Sequence, residues 1–281
     1  MENISDFENG IIVDSCTDIN EQIKDNFDTI PLRILIDDDE IVDDNLDTQY
    51  LLDMIKKSKH SLKTACPSPG EYYETFKKYK NSFVVTLSDK LSGSYGSAMA
   101  ACTMMKENFP DSFVHIFNSK SASAAQSLIS IKIKELLDAS YTKEEIVEQT
   151  TAYIEKLKTM FILDSYEHLA KAGRLSRVKA SFATFMHISP IMGATDEGEI
   201  DVLDKVRGKK KAFSRLVQLI GEHAVDYENT VLGITHVNAL EKAQALKKDI
   251  LEKYPFKDIM IFEARGISTV YADDGGIVIA F

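Results

Sequence analysis

The 281-residue chain is 44% hydrophobic and 27% charged, an ordinary globular composition with enough length for one large core or two modest ones. Its 44 acidic side chains outnumber 33 basic ones and leave a net charge of −11, which excludes general affinity for nucleic acid or anionic lipid surfaces, since both draw on accumulated Lys and Arg. No apolar stretch approaches the roughly 20 residues of a membrane span, so integral membrane association is not expected.

The opening MENISDFENG carries three acids and neither a basic region nor an apolar run, so a secretory signal is not expected and the cytoplasm is the expected compartment. GIIVDS then reads as a strand, followed by a cap at Thr17/Asp18 and a short helix. FVVTLS is a second strand; the helix after it carries apolar residues at Tyr95, Ala98, Met99, Cys102 and Met105. FVHIFNS is a third strand, followed by a helix from about Ser121 to Ala139. Strand, turn and helix in repetition imply a parallel sheet covered on both faces. Thr142 with Glu145 three residues later is a capping box for a helix reaching about Leu157.

Beyond that helix the pattern changes. TMFILDS is a strand, SYEHLAKAG a short helix stopped by Gly173, and RVKASFATFMHI a helix capped by Ser176. SPIMGATDEGEIDVLDKVRG has two β-like arms around Asp196-Glu197-Gly198, the signal of an antiparallel hairpin. A helix from Lys209, the strand TVLGITH, a helix from Ala239, the strand DIMIFEA and the run GGIVIAF follow. The expected architecture is α/β: an N-terminal parallel-sheet α/β domain over 1–157 and a C-terminal α+β domain with a mixed sheet over 158–281, with a ligand between them.

No metal is indicated. The three cysteines Cys16, Cys66 and Cys102 lie far apart, the six histidines form no H-x-x-H pair, and the acidic run IDDDEIVDDN lacks the glycine and terminal Glu of a calcium loop. No cofactor is expected either. SDKLSGSYGSAMAA, residues 88–101, lacks the lysine of a Walker A loop and the G-x-G-x-x-G of a dinucleotide site. Gly93 and Ser94 fall where a helix begins, so unpaired N–H groups and the helix dipole favour an anion there. Three readings stay open. Ser94 sits in a near match to the nucleophile elbow of a serine hydrolase acting on an acyl ester, with several histidines downstream. The hydroxyls are also suited to helix capping. The third reading takes TACPSPGEYYETF with Thr64, Cys66 and Ser68, and FNSKSASAAQSL with Ser119, as further hydroxyl-rich loops at the carboxyl ends of parallel strands. Uncharged donors gathered there suit a carboxylate.

The ordered succession VDSCTD, TACPSPGEY, LSDKLSGSYGSA, NSKSASAA, LAKAGRLS, ISPIMGATDEG, KVRGKKKA and GITHVNALEKAQAL resembles the DegV family, whose members are similar to the fatty acid binding subunit of bacterial fatty acid kinase. The resemblance implies a non-enzymatic carrier with two α/β domains and a long-chain fatty acid between them. It puts the carboxylate near Thr64 of the T-x-x-P-S segment and Ser92 of L-S-G, beside Gly93 and Ser94. Burying an acyl chain of about 16 to 18 carbons gains on the order of 10 kcal/mol before ordering costs, so a closed tunnel suffices for binding without a catalytic base. The family's Gly-Arg and Arg-Gly-Lys segments match Arg174 and Arg207, which the resemblance puts near the mouth where a kinase subunit and phosphate come, with Lys209 beside them. Both arginines fall in basic runs of this acidic chain: four basic residues over 171–179 and six over 205–215. The chain departs from the family at its end. Tyr271 stands where relatives carry His, able to donate a hydrogen bond to the carboxylate, and Asp273 and Asp274 replace Gly-Pro. Those aspartates either add negative potential at the mouth or cap a surface turn.

Overall fold

The computed structural model describes residues 7–58, 62–178 and 188–281. The first half runs β1 (Phe7–Asp14), β2 (Asp28–Ile30), β3 (Arg33–Ile36), β4 (Asp39–Val42), α1 (Thr48–Lys57), β5 (Lys63–Ala65), α2 (Pro69–Phe76), β6 (Tyr79–Thr86), α3 (Ser94–Asn108), β7 (Phe113–Asn118), α4 (Ala124–Asp138) and α5 (Lys143–Lys156). A parallel sheet in the order β2-β1-β6-β7 is its centre. Side chains alternate across it with period two. Ile11, Val13, Phe83, Val85 and Phe117 pack against α4 and α5, while Ile12, Val84 and Ile116 pack against α2 and α3. Both faces are therefore buried, as continuous apolar strands of this kind require. Thr142 and Glu145 form the expected capping box of α5, and α3 starts at Ser94 directly after Gly93.

One feature of this half differs from the sequence reading, and a second was not assigned by it. No helix follows β1: residues 15–27 run as turns, because the Asp18 side chain is drawn inward to distant donors instead of capping its own backbone. The acidic run after Ile36 turns back as β4, so that β4-β3-β5 make a small antiparallel sheet, and α1 follows with Asp47 as its N-cap.

The second half runs β8 (Thr159–Ile162), α6 (Glu167–Lys171), β9 (Ser189–Ala194), β10 (Ile200–Val206), α7 (Lys209–His223), β11 (Val231–His236), α8 (Leu240–Leu251), β12 (Asp258–Glu263), α9 (Gly266–Ala272) and β13 (Ile277–Ala280). Its sheet is mixed, in the order β10-β9-β8-β13-β11-β12, with β11 and β12 parallel and the other pairs antiparallel. One face, with Met160, Ile162, Ile277 and Ile279, packs on α7 and α8. The opposite face presents Phe161, Leu163 and Val278 to α6 and α9. The helix expected over 177–188 lies outside the described residues beyond Val178.

Helix α4 holds the two sheets together. Ile129, Ile133 and Leu136 belong to the N-terminal core, whereas Ala124, Ala125 and Leu128 pack with Phe262 and Ala280 of the second sheet. The tip of the β9–β10 hairpin makes a second link, since Ser88 Oγ donates to the Gly198 carbonyl at 2.7 Å. Gly198 has φ +86°, and a Cβ there would lie 2.4 Å from Ser88 Oγ and 2.9 Å from Lys120 Cα. Gly198→Ala is expected to cost about 2 kcal/mol or more, through backbone strain and the clash with Lys120. Denaturant unfolding measures it; an unchanged midpoint would show that the hairpin tip does not bear on the rest of the fold.

Candidate functional site

β1, β6 and β7 run in one direction, so their carboxyl ends bring Asp14, Leu87 and Ser119 to one edge. The second sheet offers its Phe161, Leu163 and Val278 face to that edge, and α9 closes the gap. The result is a narrow, almost wholly apolar cavity. Leu87, Leu91 and Ala122 line it from the first half; Phe161, Leu163, Leu169, Ile200, Ile267, Ala272 and Val278 line it from the second. Its polar lining is Cys16, Ser121, Ser123, Thr159, Arg174, Glu199, Ser268 and Tyr271. A wider, open cleft near Thr48 and His236 is lined by many acids and amides among its apolar residues, so an acyl chain there would lie against charged and polar groups.

Tyr271 and Arg174 lie on the cavity wall itself. Thr64 reaches it through Tyr271, their hydroxyls 2.7 Å apart with either able to donate. Thr64 comes from β5 of the small sheet, where it pairs with Ile34, and not from the end of a parallel strand as the loop pattern suggested. Arg174 lies 5.9 Å from the centre of the Tyr271 ring and donates through Nε to the Leu91 carbonyl at 3.1 Å. Leu91 lines the cavity and Ser92 follows it, so Arg174 ties the loop before α3 to α9. Cys66 approaches the same loop: a Cβ on Gly93 would lie 2.9 Å from its Sγ, and its Sγ is 3.8 Å from Ser97 Oγ.

Ser92 and Ser94 hydroxyls are 3.2 Å apart, and the Ser94 N–H donates to Ser92 Oγ. Ser92 is half-buried while Ser94 is wholly buried. Among the described residues no histidine hydrogen-bonds Ser94. A buried hydroxyl without a base is not an activated nucleophile. A fluorophosphonate probe is expected to leave Ser94 unlabelled under native conditions; stoichiometric labelling seen by mass spectrometry would restore the hydrolase reading.

Ser68 and Ser119 are spent locally. Ser68 caps α2 in a capping box with Glu71, and Ser119 donates to the Ser121 carbonyl at 2.9 Å. Lys209 pairs with Asp164 at 3.1 Å, directly after the cavity-lining Leu163, and Arg207 is exposed in the bend before α7. Asp273 and Asp274 lie off the cavity wall. Asp274 pairs with Lys56 at 3.3 Å and accepts from Asn238, and Asp273, at φ +58°, accepts from the Asp274 N–H, so the pair holds the turn between α9 and β13.

A buried polar layer that sequence reasoning missed supports the cavity. Asp18 accepts from the hydroxyls of Ser123 and Ser268, both cavity-lining, and from the Arg265 N–H at 2.8 Å. Asp43 accepts from the N–H groups of Gly266 and Ile267 at 2.9 and 3.0 Å, capping α9. Burial pushes the Asp14 and Asp18 carboxyls up to about 6 despite these donors, and raises Asp43 as well. Ser123 has φ +61°, a strained conformation for a residue with a Cβ, at the start of α4. Only the density of small hydroxylated residues in NSKSASAA hinted at this layer.

Among the described residues no cluster of His, Cys, Asp and Glu could hold a metal ion, and no helix is long and apolar enough to cross a membrane.

The model of the DegV family matches residues 8–281. A DegV domain-containing protein of Streptococcus pneumoniae is 33% identical over 280 residues, covering 96% of this chain and 98% of the relative. A DegV family protein of Ruminococcus gnavus, refined with vaccenic acid, is 37% identical with a TM-score of 0.94, covering 99% of this chain and 100% of its own. The Streptococcus pneumoniae fatty acid kinase B3 protein loaded with linoleic acid is 32% identical with a TM-score of 0.90, covering 98% and 99%. A Eubacterium eligens DegV protein loaded with heptadecanoic acid is 33% identical with a TM-score of 0.89, covering 97% and 98%.

Proposed function

The chain belongs to the DegV family, and from that premise we propose that it is a carrier that encloses one long-chain fatty acid between its halves, residues 1–157 and 158–281. The observation that carries this reading is the apolar cavity with the Tyr271–Thr64 hydroxyl pair and Arg174 at its wall. Leu, Ile, Phe and Val side chains take the acyl chain out of water, which supplies the affinity. The carboxylate meets Thr64, Tyr271 and Ser92, with the positive end of the α3 dipole favouring its charge. No bond is made or broken, so no base or nucleophile is required, and the protein acts by binding. Fatty acids named in the related structures are of the length this reading expects, about 16 to 18 carbons.

The test is mass spectrometry of lipid extracted from protein purified without added lipid. Stoichiometric long-chain fatty acid is the expected result; an empty extract together with no uptake of added stearic acid would overturn the carrier reading.

Presentation to a kinase subunit is the finer part of the proposal. The exposed Arg207, Lys210 and Lys211 set positive charge around the start of α7, where an acidic partner surface or phosphate would approach. Acyl phosphate formation with a bacterial fatty acid kinase measures it, with Arg207→Glu expected to reduce turnover and leave fatty acid binding unchanged.

A further inference from the structure

The cavity wall carries a second pair of hydroxyls that the carboxylate does not use. Ser121 Oγ and Thr159 Oγ1 are 2.7 Å apart; the residues are 5% and 8% exposed, and both line the cavity. Two hydroxyls own two protons, and the bond between them engages one. Among the described residues neither oxygen has another hydrogen-bond partner. Whichever hydroxyl accepts therefore keeps an O–H with no protein acceptor. Its surroundings are apolar, with Ala122 next in the chain and Phe161 two residues along the same face of β8. The neighbouring hydroxyls on this wall are committed, Ser123 and Ser268 donating to Asp18, and Glu199 is paired with Arg177 at 2.7 Å. The Thr64–Tyr271 pair has the same surplus of one O–H, and there the ligand carboxylate takes it. An unspent donor in an apolar wall is costly unless an acceptor enters with the ligand.

We propose that the Ser121–Thr159 pair is a subsite for an oxygen carried on the acyl chain, so that the cavity selects oxygenated long-chain fatty acids, hydroxylated or oxo, over plain ones. The inference rests on the carrier reading above.

The experiment titrates delipidated protein with stearic acid and with hydroxystearic acids bearing the hydroxyl near the carboxyl, at mid-chain or near the methyl end. In a wholly apolar tunnel each hydroxylated isomer binds about tenfold or more weakly than stearic acid, because its hydroxyl loses water without a partner. Here one isomer is expected to bind as tightly as stearic acid or up to about tenfold more tightly. Ser121→Ala combined with Thr159→Val should weaken that isomer about tenfold or more while holding stearic acid within about twofold; Thr159→Ser should keep the preference. The subsite is overturned if the parent binds every hydroxylated isomer about tenfold more weakly than stearic acid, a comparison that needs no variant to fold, or if the double variant weakens both probes alike. Failure of the parent to bind any of these acids, stearic acid included, overturns instead the carrier reading on which the subsite rests.

Discussion

Thr64→Val combined with Tyr271→Phe is expected to weaken long-chain fatty acid binding by roughly 10- to 150-fold. A carboxylate leaving water needs donors, and a hydrogen bond to a charged group contributes about 1.5 to 3 kcal/mol, so losing the one O–H that the pair has to give removes about that much. Fold stability should barely move. The two hydroxyls bond each other at 2.7 Å, and replacing both partners by apolar groups of similar shape strands neither. Phe also keeps the ring that faces the Arg174 guanidinium 5.9 Å away. Isothermal titration with palmitic acid and with its methyl ester separates the causes. The ester, which brings no charge, should lose far less than the acid; equal losses, or no loss at all, would place the carboxylate elsewhere.

Asp18→Ala is expected to destabilise the protein by about 3 kcal/mol at neutral pH, because the Ser123 and Ser268 hydroxyls and the Arg265 N–H are buried donors that lose their acceptor together. Asp18→Asn keeps an acceptor and should cost less. It also isolates a pH effect whose sign follows from burial. The folded carboxyl is raised from the ordinary 3.8 to about 6, so between those values the folded chain binds more protons than the unfolded one. The stability contributed by protonated Asp18 is thus fully present below about pH 4 and is lost as the pH rises through about 6, with a slope of at most about 1.4 kcal/mol per pH unit. Asp14, also raised to about 6, has the same sign and remains in the variant. Urea unfolding from pH 4 to pH 7 should therefore show a shallower decline for Asp18→Asn than for the parent; parallel curves would mean that Asp18 stays ionised throughout.

Most of what was legible in the sequence was local. The alternation of GIIVDS, FVVTLS and FVHIFNS with helices reported a parallel sheet because buried strands are continuously apolar and helices repeat near 3.6 residues. Thr142 with Glu145 announced the start of α5 through a bond that spans three residues, and Asp196-Glu197-Gly198 announced the hairpin whose tip now rests on Ser88 and Lys120. Gly93 and Ser94 were placed correctly at a helix start for the same reason. Where a local signal misled, a distant partner had outbid it: Asp18 has the residue type of an N-cap, yet its oxygens serve groups in α4 and at the start of α9.

The sequence by itself determined the strand-and-helix order, the hydroxyl-rich loops and the absence of metal or nucleotide motifs, since each depends on neighbours within a few residues. Tertiary structure alone decided which hydroxyls meet. Thr64 and Tyr271 are 207 positions apart, and Ser121 and Thr159 are 38 apart. No periodicity or capping preference encodes such a pairing, because it exists only once α4 is packed between two sheets and α9 is fixed by Asp18 and Asp43. A short polar side chain has one or two hydrogen bonds to give, and the packed chain determines where they go.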